Sequence, residues 1–253
     1  MLGNIVAVGA SAVAAVIDAY TGEIPEWLTV PLILTGLAYA AVTGTFTVSL
    51  AAVAGTLAVG YLLYYSGELG GGDVLLLAGI SAWKPLVSVA GAQIPSALAV
   101  LVLGLLLSSV FYSVYYLLQL GEGRPLLRAL VFPYAFLPPA VALVYGAVLT
   151  SFLGQRYREE LFVRERKVEE LVPEDILAEP VDGLPPGKKV LEKGDIEALK
   201  KAGVQKVKIL DNLPRFGPFI LAALLVLLYA ECCPLYFHHY AAPLFPLDAG
   251  AHP

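Results

Sequence analysis

The chain has 253 residues, of which 58% are hydrophobic and only 15% charged, with a mean hydropathy of +0.75. A soluble domain of this size carries nearer a quarter charged residues, so that class is excluded. The formal net charge of −5 comes with no basic patch of the kind that binds nucleic acid.

Apolar runs occupy residues 3–19, 27–43, 46–65, 74–91, 95–119, 129–153 and 216–237. Most are long enough to cross a bilayer as helices. The expectation is an all-α polytopic membrane protein of about six transmembrane helices. The first run lacks a basic leader and contains Asp18, so it reads as a retained helix. A helix starting after Gly70-Gly71-Gly72-Asp73 is expected to be short, reaching Trp83-Lys84-Pro85 with Lys84 snorkelling outward. The 129–153 run creates a parity problem. Arg124 and Arg128 flank it on one side, Arg156 and Arg158 on the other, and Pro138-Pro139 interrupts it. A re-entrant hairpin keeps both flanks on one side, and an ordinary crossing is the alternative.

Residues 155–214 form a polar insertion, and 13 of the 16 Lys and Arg lie between Arg156 and Arg215. The positive-inside bias makes this side cytoplasmic. Gln155–Val172 reads as a charged helix, and Asp195 as the N-cap of a helix Ile196–Ala202 with Gly203 behind it. Val204–Leu210 alternates like a half-buried strand, and Gly183, Pro185, Pro186 and Gly187 mark a loop. The insertion is thus a small α+β domain. The division expected is 1–154 for membrane helices carrying both acids, 155–214 for the insertion, 215–237 for a final helix and 238–253 for a tail.

Asp18 and Asp73 both stand in membrane-helix sequence, where an ionisable residue marks a functional site. Two carboxylates can share a proton and activate water. Glycines ahead of Asp73 permit close backbone approach to a substrate. The plainer reading of Asp73 alone is a helix cap, and of Asp18 a polar helix end. A proton or cation relay in a transporter is the rival use of the pair, although it predicts internal repeats that the sequence does not display. Glu231 reads as a second intramembrane acid near the outer interface. The tyrosines Tyr61, Tyr64, Tyr65, Tyr112, Tyr115 and Tyr116 recur near run ends as an interface belt. Cys232-Cys233 and His238-His239 lack zinc-ligand spacing, so neither a metal nor a cofactor is expected.

Asp18, followed six and seven residues later by Ile24-Pro25, resembles the first signature of prepilin and preflagellin peptidases. Gly70-x-Gly72-Asp73 resembles their GxGD signature, and Phe216-Gly217-Pro218-Phe219 resembles the entrance to their last helix. The insertion is similar to the cytoplasmic domain of archaeal, preflagellin-type members. The resemblance implies an aspartyl endopeptidase with Asp18 and Asp73 as catalytic dyad. Its substrate would be a prepilin or preflagellin precursor with a basic leader and hydrophobic helix, cut at the cytoplasmic face of the cell membrane. Gly70, Gly71, Gly72, Ile24 and Pro25 would line the substrate, while Glu23, Glu26 and Glu68 would attract its basic leader. Leu75 replaces a lysine frequent in the family, and no methyl-donor motif is present, so methyltransferase activity is not expected. The particular substrate and the oligomeric state are not legible.

Overall fold

A computed structural model describes residues 2–66, 69–89, 91–122, 124–173, 175–185, 188–210 and 215–232. Glu68, Pro186, Gly187, Cys233, His238 and His239, and everything else beyond Cys232, lie outside the described residues. The chain divides into two compact units. One draws on Met1–Ala58, Gly72–Gly104 and Gly217–Pro253, the other on Val59–Gly71 and Leu105–Phe216.

In the first unit the helices are α1 (Leu2–Thr21), α2 (Glu26–Thr43), the first part of α3 (Phe46–Ser66), α4 (Gly71–Trp83), the start of α5 (Ser96–Leu120) and α10 (Gly217–Cys232). Helices α1, α2, α3 and α5 are long and apolar enough to cross a membrane, whereas α4 and α10 are shorter apolar helices. α1 packs along α10, and its buried residues are Gly3, Ala7, Ser11, Ala14, Ala15 and Asp18. Those positions recur every three or four residues, forming one helical face. Apart from Asp18 all are small, which lets two backbones approach closely, as membrane interfaces favour. From Val74 to Ala82 nearly every residue of α4 is buried, as expected of an all-apolar helix. Val53 of α3 packs against Ala78 and Ala82, and Thr56 Oγ1 lies 3.0 Å from Ser81 Oγ. On the α2 side, Trp83 Nε1 donates to the Leu32 carbonyl at 3.0 Å, and its ring stacks on Tyr39.

Two features of this unit depart from expectation. Between α4 and α5 the chain forms an antiparallel hairpin of β1 (Leu86–Val89) and β2 (Ala92–Pro95), paired from Leu86↔Pro95 to Val89↔Ala92. Four-residue strands are too short to announce themselves by alternation within an apolar run. Lys84 also does more than snorkel. Its Nζ lies 2.7 Å from Glu231 Oε2 of α10, and the Ser88 amide donates to Glu231 Oε1 at 3.3 Å. The hairpin and the far end of α10 are tied through one carboxylate.

The second unit contains the remainder of α3 and α5, then α6 (Pro125–Ala129), α7 (Pro139–Arg156), α8 (Arg158–Phe162), β3 (Val163–Lys167), β4 (Ile176–Leu177), α9 (Lys193–Lys201) and β5 (Lys206–Leu210). Pro138-Pro139 does break the 129–153 run, but unequally. A short helix and a 3₁₀ turn (Phe132–Ala135) precede it, and one 18-residue helix follows with Pro139 in its first turn, where a missing N–H costs nothing. These pieces fold onto α5: Thr150 Oγ1 donates to the Ser109 carbonyl at 2.7 Å, and the Ser113 and Tyr134 hydroxyls meet at 2.5 Å.

The charged helix expected over Gln155–Val172 is corrected by the structure. α7 stops at Arg156, and Val163–Lys167 is a strand. β5 needs a partner for its backbone groups, and β3 supplies it over five residues, Val163↔Leu210 to Lys167↔Lys206. The sheet order is β3-β5-β4, all antiparallel. Pairing outweighs helix propensity here, as it commonly does for charged edge strands. Asp195 is likewise not the N-cap. Glu192 is, and Asp195, at the third helical position, accepts the Glu192 N–H at 2.8 Å. Gly203 follows the helix at φ 74°. The insertion has its own apolar core, centred on Leu191, Leu199, Val207 and Ile209.

Candidate active site

The first acid is positioned by the end of α1. Gly22 N donates to the Asp18 carbonyl at 2.8 Å, closing the helix. Thr21 Oγ1 then accepts from Glu23 N at 3.3 Å, which turns the chain toward α2. Ile24 is buried and anchors this turn, while Pro25 is extended (φ −75°, ψ 142°) and opens α2. The Ile-Pro spacing therefore has a mechanical meaning: an apolar plug followed by a residue with the dihedral that starts a helix. Glu23 and Glu26 are exposed on this loop.

The second acid, Asp73, lies in the first turn of α4. The residue before it explains half of the GxGD pattern. A Cβ on Gly72 would stand 2.5 Å from the Ile24 carbonyl oxygen and 2.8 Å from Ile24 Cβ. Only glycine lets the α1–α2 turn press on the start of α4. The segments that carry Asp18 and Asp73 are thus in contact within one packed unit. Gly70 and Gly71 precede α4's packed part, with Gly71 beside the Tyr64 ring.

Asp18 itself is 4% exposed. Its Oδ2 accepts the Gly217 N–H at 2.8 Å, and Gly217 is the first residue of α10. Desolvating a carboxylate is costly unless it is hydrogen-bonded, and a helix N-terminus is where a negative charge is best received. The sequence singled out Phe216-Gly217-Pro218-Phe219 without giving it a task. Here its glycine amide touches the first acid. At the opposite end of α10, Glu231 is engaged by Lys84 and the Ser88 amide, far from Asp18. Its reading as a structural acid follows from that partner set.

The fold and this site define a class: a helical membrane protein that buries a carboxylate at a helix N-terminus beside a glycine-rich turn carrying a second one. Residues 5–118, which include Asp18, Ile24-Pro25 and Gly70–Asp73, match the model of the type IV leader peptidase family, so this stretch is similar to prepilin peptidase-like proteins. No curated protein matches the sequence significantly. The insertion and α10 lie outside the matched stretch.

Proposed function

We propose that the protein is a membrane aspartyl endopeptidase that removes the short leader of type IV prepilin-like or preflagellin subunits at the cytoplasmic face. The observation that carries this is the packing of Ile24 on Gly72, which assembles the turns of the two acids within a stretch matching a leader peptidase family. In this reading Asp18 and Asp73 act as a dyad. One is ionised and takes a proton from water; the other is protonated and donates to the scissile carbonyl. Hydroxide adds to the carbonyl carbon, the C–N bond breaks, and the departing amine takes up the proton. No cofactor enters these steps.

Glu23 and Glu26, exposed beside the Asp18 turn, and Glu68 would draw the basic leader. The substrate's apolar helix would remain in the bilayer. The 12 Lys and Arg of the insertion argue for its cytoplasmic placement, because exporting a short basic segment is disfavoured. Incubating the detergent-purified chain with a leader-bearing pilin precursor tests the reading. A mass loss equal to the leader is expected from the native chain and none from Asp18→Ala or Asp73→Ala. No cleavage by the native chain of any leader-bearing precursor would overturn it.

A further inference from the structure

We propose that residues 125–156 form a re-entrant membrane hairpin that enters and leaves the bilayer at one surface, with lipid acyl chains covering its outward apolar face. The proposal concerns the second unit alone and stands apart from the peptidase reading.

The two ends of the segment meet. Arg124, just ahead of it, holds its guanidinium 5.3 Å from the ring centroid of Tyr157, just behind it. The same side chain reaches Glu160, with Nη1 at 3.2 Å from Oε2. Both members of that pair are about half exposed, at 46% and 53%, so it adds little stability. It does mark a place. A chain that leaves from Arg124 and returns to Tyr157 ends on the side where it began. Leu120, Leu153 and Leu161 share one apolar cluster, which sets the end of α7 beside the end of α5 as well.

Between those ends α7 lies against the middle of α5. A Cβ on Gly146 would stand 2.8 Å from Val110 Cγ2 and 2.9 Å from Val110 Cα, a close backbone approach of the kind membrane helices make through small residues. One turn further on, Thr150 is bonded to the Ser109 carbonyl. At 1.5 Å per residue Ser109 sits about 16 Å from the Leu120 end of α5, near the midpoint of a hydrocarbon core about 30 Å thick. α5 is long and apolar enough to cross a membrane, so α7 shares a level at which the surroundings are acyl chains.

The faces of α7 agree with that level. Gly146, Leu149 and Leu153 are buried, while Val141, Val144, Val148 and Phe152 are exposed at spacings of three or four that make one stripe. The hydroxyls turn inward: Thr150 goes to Ser109, and Tyr145 Oη donates to the Leu130 carbonyl at 2.9 Å. In the turn ahead of α7, Phe132 and Phe136 are likewise outward, at 71% and 74% exposure. Irregular backbone at membrane depth needs its polar groups satisfied within the protein. Here Val131 N, Tyr134 N, Phe136 N and Leu137 N all donate to carbonyls between Arg128 and Pro133, and Pro133, Pro138 and Pro139 bring no N–H at all.

Single cysteines at Glu122, Glu159, Val144 and Val148, all exposed, test both parts of the proposal in the full chain carrying Cys232→Ser and Cys233→Ser. In intact cells an impermeant maleimide is expected to treat Glu122→Cys and Glu159→Cys alike, labelling both before permeabilisation or both only after it. One labelled before and the other only after would establish a crossing and overturn the hairpin. In phosphatidylcholine vesicles, nitroxide labels at Val144→Cys and Val148→Cys should be relaxed several-fold more by oxygen, which partitions into acyl chains, than by a water-soluble nickel chelate. Glu159→Cys should show the reverse order. Stronger relaxation by nickel at the two valines would put the face in water, and shielding from both agents would put a second copy or another helix over it. Either result overturns the lipid assignment. None of these measurements needs a cleaved leader, so they score the hairpin even where the peptidase reading falls.

Discussion

Lys84–Glu231 and Lys206–Glu165 are chemically the same pair, an ammonium facing a carboxylate, at 2.7 and 3.5 Å. The first joins two helix ends in the acid-bearing unit, with side chains 14% and 26% exposed. The second lies across strands of the insertion with both side chains more than half exposed, at 63% and 60%. Water screens the second and pays back little on its formation. The first has given up most of its hydration, so each member depends on the other. The contrast holds for the units more widely. In the insertion, stability resides in apolar side chains such as Leu191, Leu199 and Ile209, and charges decorate the rim. In the acid-bearing unit, small residues bring backbones together and two acids are held individually, Asp18 by an amide and Glu231 by a lysine and an amide.

The sharpest test of that contrast lies in the acids. Asp18→Asn and Asp73→Asn are each expected to abolish leader cleavage, measured by mass spectrometry, while circular dichroism stays native. The double variant should be no worse than either single one, since members of a catalytic unit are non-additive. Appreciable cleavage by either single variant would remove it from the dyad.

Next in size is the pair at the far end of α10. Lys84→Met is expected to cost about 3 kcal/mol by stranding Glu231, and the double variant Lys84→Met/Glu231→Leu should recover much of it. Thermal unfolding in detergent reads both. By comparison, Lys206→Met in the insertion should cost under about 1 kcal/mol, and an equal cost for the two lysines would erase the distinction drawn between the units.

A smaller effect is expected at the loop acids. Neutralising Glu23 and Glu26 to Gln should raise KM for a basic leader and flatten its salt dependence, since exposed attractions fade over about 8–10 Å at physiological ionic strength. An unchanged KM from low to high salt would show that the leader docks elsewhere.

The slightest signal should come from the cap of α9. Burial disfavours the charge on Asp195, but Lys188 at 2.8 Å and the Glu192 amide together hold its carboxyl below the usual range. A lowered folded value stabilises the fold above the unfolded range of about 3.9, and that contribution is lost as pH falls through the folded value. Lys188 is shifted the other way, upward, by hydrogen bonds from its ammonium to Asp195 and Glu192. Its contribution is present below about 10.4 and lost as pH rises through the raised folded value. The thermal midpoint of Asp195→Asn should therefore trail the native chain at neutral pH and converge with it in acid. A constant gap across pH would assign the difference to packing instead.

The helices α1, α2, α3 and α5 could be read from apolar runs because burial in lipid writes itself as length and composition. The turns at Asp18 and Asp73 could be located from Ile24-Pro25 and Gly70–Asp73. What the sequence concealed has physical reasons. β1 and β2 are too brief to impose a period, and β3 (VRERK) shows no clean alternation because its conformation is decided by β5. Asp195 looked like a cap since caps and third helical positions favour the same acids. The bond from Gly217 to Asp18 was hidden most completely. Every residue but proline has an N–H, so nothing in its chemistry marks this one, and only the missing side chain hints that something lies against it.

The brevity of α4 carries a consequence for the bilayer. Thirteen residues from Gly71 to Trp83 span about 20 Å at 1.5 Å per residue, against a hydrocarbon core about 30 Å thick. The hairpin at its far end presents open strand edges, which lipid tails do not tolerate, so that end belongs at a headgroup layer or inside protein. With the hairpin at a headgroup layer, the Asp73 end would fall about 10 Å short of the other surface, and hydrophobic mismatch of this kind is met by local thinning of the membrane around the helix. In that placement acyl-chain length would set the hydration at Asp73: thin bilayers would bring the aqueous boundary to the acid, and thick ones would draw it away.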